Sequence, residues 1–366
     1  MPTVYHLDDA LSWRGGEQQV AYLHRGLLGR GWKSAVICRR GGALHQRLDA
    51  AGLPHHAIAI RGSQDLVAAW KIGSLARGAH TLLHAHTSHA HDLALWASRL
   101  RGRFPLVVSR RVDFPVGRTF LGRRKYLSDR VDRYYAISSA VESELLAASV
   151  AAKRIRRVPS GIDLSRFASV EPLPLWRAEV GVEAGELLFG NVAALAPHKD
   201  QATLLRAFAR YVESDGRGKL VILGEGELRA DLEALRERLG LADRVLLPGF
   251  ATDILPRVRS LDVFVMSSSL EGLGTSILDA MALERCIVAT RTGGIPDAIA
   301  DGRNGILVPP RDPDALAAAL HRLAADAQLR RRLAAAARED VRAFSVEHTI
   351  AKSEAAYLEL LEERKP

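Results

Sequence analysis

Cysteine is scarce in this sequence of 366 residues, which has only Cys38 and Cys286. The two lie far apart, and neither has a partner at the short spacing that is typical of zinc ligands. A scaffold that depends on several disulfides or on a zinc ion held by cysteines is therefore excluded. This cysteine usage favours a reducing, cytoplasmic location.

Long apolar segments are also missing. No stretch of about 18 residues is apolar and free of charge, as a membrane-spanning helix requires. The first residues, MPTVYHLDDALSWRGG, carry an acidic pair where a secretory signal needs an apolar core, so we expect neither secretion nor a membrane span. Hydrophobic residues make up 48% and charged residues 25%, as in ordinary globular proteins, and the length predicts two domains.

Acidic residues are few in the first half of the chain. Residues 1–170 hold 26 Lys and Arg against 12 Asp and Glu, a net charge of +14, whereas the remainder carries −5. Within residues 99–133 alone the net charge is +8. The asymmetry predicts an anionic partner, namely phospholipid headgroups, a phosphorylated glycolipid or nucleic acid, with a solvated arginine-rich surface as the alternative. Nucleic acid is the weakest of these, because no binding motif or basic–aromatic run accompanies the charge.

Short β-branched runs alternate with longer segments of helical period. The first series of strands is predicted at 3–7, 34–38, 81–85, 105–109 and 133–137, and the second at 187–193, 219–223, 244–248, 262–266, 286–290 and 305–309. Such alternation predicts parallel sheets that are covered by helices on both faces. Ligands of these folds bind outside the carboxyl ends of the strands.

A domain boundary is predicted at VEPLPLW, residues 170–176, where two prolines interrupt the alternation without adding an element. The fold class is thus α/β, with two doubly wound, Rossmann-like domains in series at residues 1–170 and 171–345. Residues 346–366 form a last helical segment.

The strongest local signal is SSSLEGLGTSILDAMA, residues 267–282, which follows a predicted strand. Gly272 and Gly274 allow the backbone to approach a ligand closely, and the amides at the start of the next helix would face an anion such as a diphosphate. Glu271 lies in the loop and Asp279 about one turn inside the helix, so both carboxylates can face one cleft. The alternative is a simple glycine turn before a helix.

The segment EGLGTSILDAMALERCIVATRTGGIPDAIADGRNGILVPPRD resembles the signature of the retaining, GT-B-fold glycosyltransferases of family 4: E-x7-E, a small-residue helix, a strand and a G-G-[IV]-P-[ED] turn. The resemblance covers most of residues 1–345 and is densest from 155 to 310. It implies two domains that face each other across a cleft, with the acceptor bound by residues 1–170 and the nucleotide-sugar by 171–345. The helix at 346–366 would pack back on the first domain.

The resemblance assigns roles in the donor site. Glu271 would contact the hydroxyls of the donor sugar, and Asp279, one methylene shorter than the family glutamate, would hold the ribose. Lys199 in GNVAALAPHKD matches a lysine that clamps the diphosphate, but Ala194 stands where the family usually has an arginine. We expect His198 or an arginine of the basic half to substitute.

Further donor contacts follow from the same resemblance. Gly224 and Gly226 of GEGEL border the nucleotide, and Gly15 and Gly16 open a helix that points towards the donor phosphates. Ser160 of VPSGID replaces an asparagine of the family. The full donor-binding set is Gly15, Gly16, Gly224, Gly226, Gly272, Leu273, Gly274, Thr275, Ser276 and Asp279.

Four histidines crowd the segment LLHAHTSHAHD, residues 82–92. The resemblance places His86 near the donor sugar, so the predicted catalytic set is His86, Lys199 and Glu271; the alternative for His86 is a polar strand end. His84 is expected to pack below the site, and His89 and His91 to lie at the start of the next helix. A metal ion is not expected, because the segment lacks the HExxH spacing and its only nearby carboxylate in sequence is Asp92.

The resemblance implies retaining transfer of a sugar from a nucleotide-diphosphate donor to a hydroxyl of a glycan or glycolipid, in lipopolysaccharide or cell-surface polysaccharide synthesis. We expect no cofactor and no metal, a UDP-sugar before GDP- or ADP-sugars, and no nucleic acid. A surface that binds an anionic acceptor is predicted at Arg110, Arg111, Arg123 and Arg124. Peripheral attachment to the inner face of the cytoplasmic membrane is also predicted. The alternatives are a small soluble acceptor, a nucleotide-sugar epimerase of the same architecture, or a non-catalytic binding protein.

Overall fold

The computed structural model describes residues 1–78, 80–111, 116 and 120–364, so part of the basic segment 99–133 lies outside the described residues. The chain forms two compact units. Unit 1 comprises residues 1–161 and 346–366, and unit 2 comprises residues 162–345.

The division between the units lies at 161/162, upstream of the predicted boundary at 170/171. The N–H of Ile162 donates to the carbonyl of Phe344 at 2.9 Å, and Ile162 forms a parallel bridge with Ser345. The chain is therefore tied to the last residues of unit 2 as soon as it leaves residue 161. The prolines of VEPLPLW lie inside unit 2, where Pro174 begins a short helix.

The described residues of unit 1 before residue 162 form seven parallel strands and six helices. The strands are β1 (Thr3–Asp8), β2 (Lys33–Arg39), β3 (His55–Ile58), β4 (Thr81–Ala85), β5 (Leu106–Arg110), β6 (Arg133–Ala136) and β7 (Ile155–Arg157). The helices are α1 (Gly15–Gly29), α2 (Ala43–Ala50), α3 (Leu66–Leu75), α4 (Ser88–Arg101), α5 (Phe120–Tyr126) and α6 (Ser139–Ala147). The strand order in the sheet is β3-β2-β1-β4-β5-β6-β7.

Unit 2 contains a second parallel sheet with six strands. These are β8 (Leu187–Val192), β9 (Gly218–Leu223), β10 (Val245–Gly249), β11 (Val263–Met266), β12 (Cys286–Thr290) and β13 (Ile306–Val308). Its helices are α7 (Pro174–Glu179), α8 (Gln201–Glu213), α9 (Arg229–Arg238), α10 (Ile254–Arg259), α11 (Thr275–Ala282), α12 (Ile295–Ala298), α13 (Pro313–Ala325) and α14 (Ala327–Asp340). The strand order is β10-β9-β8-β11-β12-β13.

The last helix, α15 (Val346–Glu363), follows unit 2 in sequence but belongs to unit 1. Ile350 packs over Gly26 of α1, where a Cβ would lie 2.1 Å from the Ile350 Cδ1. The indole nitrogen of Trp32 donates to Glu354 at 2.8 Å, and Tyr357 is fully buried. Close helix packing at a glycine and buried aromatic area together hold this segment on unit 1.

The strands form where apolar runs are nearly continuous, and β4 and β5 are buried along their whole length, as parallel strands between two helical layers must be. Polar residues cap several of the helices directly after the turns that lead into them. Asp65, Thr87 and Ser138 each accept a hydrogen bond from the amide three residues further on.

Each sheet has a point where the strand order reverses. This switch point lies between β1 and β4 in unit 1 and between β8 and β11 in unit 2. Loops on the two sides of a switch point leave in opposite directions, which opens a crevice at the carboxyl ends of the strands. The crevices of the two units are therefore bordered by the loops that follow these four strands.

The predicted fold class, two doubly wound α/β domains, is confirmed. The edge strands β3 and β7 were not predicted. No helix in the described part of the chain is long and apolar enough to cross a membrane.

Candidate functional site

Lys199 and Glu271 of the predicted catalytic set meet at the switch point of unit 2. Lys199 ends a 3₁₀ turn, Pro197–Lys199, after β8, and Glu271 follows β11. The Lys199 ammonium donates to the Glu271 carboxylate, which also accepts from the hydroxyl of Ser268 at 3.3 Å. The two side chains are only 17% and 12% exposed. An ammonium and a carboxylate held together at the ends of two neighbouring strands can bind a phosphate and a sugar hydroxyl respectively.

The loop after Glu271 presents the start of α11. Gly274 has φ of +78°, a left-handed conformation that favours glycine, and no side chain in the described structure caps the helix. Thr275 is exposed and Ser276 half-buried, whereas Gly272 and Leu273 are buried. The amides of the first turn can therefore receive an anion.

Asp279 lies one turn into α11 and is half-buried. Burial raises the pKa of its carboxyl to about 6, and the charge of Arg166 partly offsets this rise. Arg166 comes from a 3₁₀ segment, Leu164–Phe167, at the start of unit 2. The carboxylate thus has a cationic neighbour that the sequence analysis did not name.

Gly224 and Gly226 follow β9 and pack against the loop that carries Ala194. A Cβ on Gly224 would lie 1.9 Å from the carbonyl oxygen of Ala193, and one on Gly226 would lie 2.3 Å from that of Leu195. These two glycines therefore shape the loop after β8. Their contact with a nucleotide stays a prediction.

Gly15 and Gly16 begin α1 after the end of β1. The N–H of Arg14, at the N-cap, donates to the Glu17 carboxylate at 2.6 Å, and Glu17 is buried. The amide-rich start of α1 already has one carboxylate beside it, which reduces the positive potential that an approaching anion meets.

His86 follows β4, at the switch point of unit 1, and is only 4% exposed. Its Nε2 lies 3.0 Å from the Nδ1 of His6, and its Nδ1 receives a hydrogen bond from the Arg111 guanidinium at 3.1 Å. Burial lowers the pKa of His86 and of His6 well below the usual histidine range, so both rings are neutral at pH 7. Both nitrogens of His86 face protein groups.

His84 lies beneath His86, with ring centroids 3.9 Å apart. Its Nδ1 contacts the hydroxyl of Tyr357 at 2.5 Å and its Nε2 that of Ser109 at 2.8 Å. His84 therefore has both nitrogens satisfied by hydroxyl groups, as expected of a residue that packs below the site.

His6, His84 and His86 bring ring nitrogens within 4.8 Å of one another, close enough to raise the question of a metal ion. A metal would have to displace the two hydroxyls on His84 and lie beside the Arg111 guanidinium on His86. Like charges at such short range repel strongly in a buried site. The three rings fit a hydrogen-bonded network rather than a metal centre.

His89 and His91 both lie in the first turn of α4. His89 is exposed and lies 3.3 Å from the Asp9 carboxylate. His91 is buried and packs edge-on against the rings of Tyr126 and Tyr134. Neither histidine joins the network around His86.

The four arginines predicted as one surface for an anionic acceptor divide into two pairs. Arg123 and Arg124, on α5, are exposed. Arg110 is buried at the end of β5, where its guanidinium donates to the hydroxyl of Tyr126 at 2.7 Å, and Arg111 points to His86. Arg110 and Arg111 therefore do not lie on the predicted exposed surface, because they end and follow a strand in the middle of the sheet.

Asp8 ends β1 at the same switch point and is 1% exposed. Its Oδ1 accepts from the N–H of Ala10 at 3.0 Å, whereas its Oδ2 has no hydrogen-bond partner among the described residues. Burial raises the pKa of Asp8 to about 7. Asp8 and His6 were not predicted as site residues. The available signal was the presence of these two polar residues in a largely apolar strand, and the parallel register places His6 directly beside His84.

Two family models match the chain. The model described as "Glycosyltransferase Family 4" matches residues 13–166, and the model described as "Glycosyl transferases group 1" matches residues 174–340.

Curated relatives and solved structures agree with these models. The chain is 31% identical over 297 residues to the D-inositol 3-phosphate glycosyltransferase of Saccharomonospora viridis, which covers 74% of this chain and 68% of that protein. It is 34% identical over 175 residues to the lipopolysaccharide core biosynthesis glycosyltransferase LpsE of Rhizobium meliloti, covering 43% and 52% respectively. The matched region is about half the length of several other curated relatives.

The crystal structure of Anabaena Alr3699/HepE in complex with UDP superposes with a TM-score of 0.84 at 22% identity. The superposition covers 98% of this chain and all of that one. At this level of identity the likeness establishes the fold, which is the two-domain arrangement called GT-B.

Proposed function

Because this chain belongs to glycosyltransferase family 4, we propose that it transfers a sugar from a nucleotide-diphosphate donor to a hydroxyl of an acceptor, with retention at the anomeric carbon. The observation that carries the proposal is the Lys199–Glu271 pair beside the uncapped start of α11, at the switch point of unit 2. Between the ends of β8 and β11, this arrangement supplies positive potential and a carboxylate that can accept hydrogen bonds from hydroxyl groups.

The pair supports a specific division of labour. Departure of the nucleoside diphosphate builds negative charge on the β-phosphate oxygens, and the Lys199 ammonium together with the amides at Gly274–Ser276 would stabilise that charge. Glu271 would then accept hydrogen bonds from the sugar hydroxyls. The leaving phosphate takes the acceptor's proton on the same face of the sugar, so no protein base and no metal ion is assigned to the reaction.

The nucleotide would lie along α11, with its ribose hydroxyls on Asp279. We propose a UDP-sugar as the donor before GDP- or ADP-sugars. The Anabaena protein with the same fold was crystallised with UDP, which is consistent with this order.

The acceptor is proposed to be an anionic glycolipid or glycan of the cell surface. The curated relatives named above act, by their names, on D-inositol 3-phosphate and in lipopolysaccharide core synthesis, and the first acceptor carries a phosphate. On unit 1, Arg123 and Arg124 are exposed on α5. These charges support acceptor binding by unit 1.

The same unit offers a surface for peripheral attachment to an anionic membrane. Val67 and Trp70 on α3 are 68% and 50% exposed, and the neighbouring helix α4 ends near Leu100, which is 45% exposed. The Arg101 guanidinium lies over the Trp70 ring at 4.8 Å. Apolar side chains with an adjacent cation are typical of surfaces that enter the headgroup region.

The test of the reaction is release of nucleoside diphosphate from a panel of UDP-, GDP- and ADP-sugars, with and without glycolipid extracts. A transferase releases it in an acceptor-dependent manner, and NMR of the product shows whether the anomeric configuration is retained. Donor conversion without acceptor would instead indicate an epimerase or hydrolase, and binding without turnover a non-catalytic protein.

The role of Lys199 is tested with Lys199→Ala, for which we expect kcat to fall by about a hundredfold or more because charge on the leaving group is no longer stabilised. Lys219→Ala is the matched control, since Lys219 lies at the amino end of β9, away from the carboxyl ends of the strands, and donates to the Asp243 carbonyl. Equal losses in the two variants would contradict the assigned role.

A further inference from the structure

The hydrogen bonds of His86 determine where its proton lies. Arginine can only donate, so the Nδ1 of His86 that faces Arg111 must be an acceptor. In the neutral ring the proton is therefore on Nε2, which donates to the Nδ1 of His6 at 3.0 Å. His86, which was predicted to lie near the donor sugar, therefore has no ring nitrogen left for a further hydrogen bond.

The Arg111 guanidinium, in contrast, is a cation held by neutral groups. One terminal nitrogen donates to the His86 ring at 3.1 Å and the other to the hydroxyl of Ser160 at 3.3 Å. Among the described residues, no carboxylate lies within ion-pair distance of it. A guanidinium carries five N–H donors, so these contacts leave donors for a further acceptor.

Arg111 nevertheless keeps its charge. Burial lowers the pKa of its guanidinium to about 10, and the carboxylates of Asp8 and Glu17 act in the opposite direction. At pH 7 the side chain is therefore protonated. A half-buried cation without a bonded counter-charge is costly unless an anion completes it.

The position of Arg111 favours a phosphate as that anion. The residue follows β5, which lies next to β4, at the carboxyl edge of the sheet. Its Cδ lies 3.9 Å from the point that a Cβ on Gly16 would occupy, so the side chain runs beneath the first turn of α1. A planar guanidinium and the amides of a helix start are two groups that bind phosphoryl oxygens, and here they lie side by side.

We propose that Arg111 binds a phosphate group of a substrate in unit 1, and that His86 is a positioning residue that orients its guanidinium. The site follows from the geometry of unit 1, whereas the source of the phosphate rests on the proposed function. It is either the diphosphate of the donor or a phosphate of the acceptor. The chemistry on the protein is the same in both cases.

The experiment measures, by calorimetry on the full chain, the affinity for UDP and the affinity of the UDP-saturated protein for inorganic phosphate. Arg111→Met should weaken one of the two by about tenfold to a hundredfold, as the loss of charged hydrogen bonds predicts. A change in UDP affinity assigns the donor diphosphate, and a change in phosphate affinity assigns the acceptor. Arg111→Lys keeps the positive charge but loses the planar guanidinium with its paired donors. Its affinity should therefore lie between those of the unaltered chain and Arg111→Met.

The role of His86 is tested by rescue. His86→Asn retains an acceptor near the position of Nδ1 and should stay within about threefold of the unaltered chain, whereas His86→Leu should approach Arg111→Met. The double variant Arg111→Met/His86→Leu should be no weaker than Arg111→Met alone. A further loss in the double variant would mean that His86 contacts the ligand itself, and would overturn its positioning role.

Arg77→Met serves as the matched control, because Arg77 also donates only to a neutral acceptor in the described structure, the Arg101 carbonyl at 2.8 Å. Thermal unfolding of each variant confirms that it is folded. Unchanged affinities in Arg111→Met, with UDP still bound, would overturn this proposal and leave the proposed function intact. If the chain binds no nucleotide but binds phosphate in a manner that depends on Arg111, the proposed function is overturned and the phosphate site at Arg111 stands.

Discussion

Replacing Asp8 by asparagine is expected to stabilise unit 1 at neutral pH. Asp8 is 1% exposed, and burial raises the pKa of its carboxyl from 3.8 to about 7. Above pH 7 the folded protein must hold a buried charge that the unfolded chain holds in water. Each unit of pKa difference corresponds to about 1.36 kcal/mol, so the charge costs about 4 kcal/mol of folding free energy at pH 8.

The sign follows from proton binding. Between pH 3.8 and 7 the folded state binds more protons at Asp8 than the unfolded state, so the contribution of Asp8 to stability falls as the pH rises. At pH 5 the cost is only about 1.6 kcal/mol. Asparagine keeps an oxygen that accepts from the Ala10 amide. Its NH₂ group, however, takes the place of Oδ2, which has no partner in the described structure, and burying this unsatisfied donor costs about 1–3 kcal/mol of folding free energy. The net gain of Asp8→Asn is thus about 1–3 kcal/mol at pH 8 and about zero at pH 5.

Urea denaturation followed by tryptophan fluorescence at pH 5, 6, 7 and 8 measures this gain. Four of the five tryptophans lie in residues 1–161, so the signal reports mainly on unit 1. Asp65→Asn is the control of opposite sign, because hydrogen bonds from the start of α3 lower the pKa of Asp65. Parallel pH profiles of the unaltered chain and Asp8→Asn would refute the reasoning, since they would show that Asp8 titrates as it does in the unfolded chain.

Three other predictions concern both units. Lowering the pH from 8 to 5 should weaken UDP binding because Asp279, with its pKa raised to about 6, becomes neutral, and Asp279→Asn should abolish this pH dependence in a calorimetric titration. Gly224→Ala should destabilise unit 2 by several kcal/mol in denaturant unfolding, because φ is +150° and a Cβ would lie 1.9 Å from the Ala193 oxygen. Tyr357→Phe should cost about 1–3 kcal/mol in unit 1 by leaving the buried Nδ1 of His84 without its hydroxyl, and an unchanged melting temperature would contradict this.

The parallel sheets could be predicted because their central strands are apolar almost without interruption. The two strands that escaped prediction have no such run: β3 reads HHAI and β7 reads IRR. Both are edge strands, which need to be buried on fewer sides and tolerate polar and charged side chains. The offset between the predicted boundary and the division of the units has another cause, since the prediction depended on prolines, whereas the units divide where Ile162 bonds to Phe344, a contact between residues distant in sequence.

The residues of the candidate site that the sequence predicts best are those whose signals lie close together along the chain. Glu271, Gly274 and Asp279 lie within one loop and the helix that follows it, so the glycines and both carboxylates can be recognised within nine residues of sequence. The resemblance assigned Lys199 and Glu271 to one donor site, but their ion pair was not predicted. The contacts of His86 with His6 and Arg111 join three strand ends, and no pattern in the sequence states which strands are neighbours or in what register they pair.

The His86 network also gives α15 a role in the site. The hydroxyl of Tyr357 holds the ring of His84, and that ring packs on His86 with centroids 3.9 Å apart. Rings in such contact cannot turn independently in a close-packed interior, so the orientation of His86, and with it the Arg111 guanidinium, depends on a helix that the chain adds after unit 2 is complete. Unit 1 therefore acquires its final arrangement at the switch point only when the end of the chain has packed against its beginning.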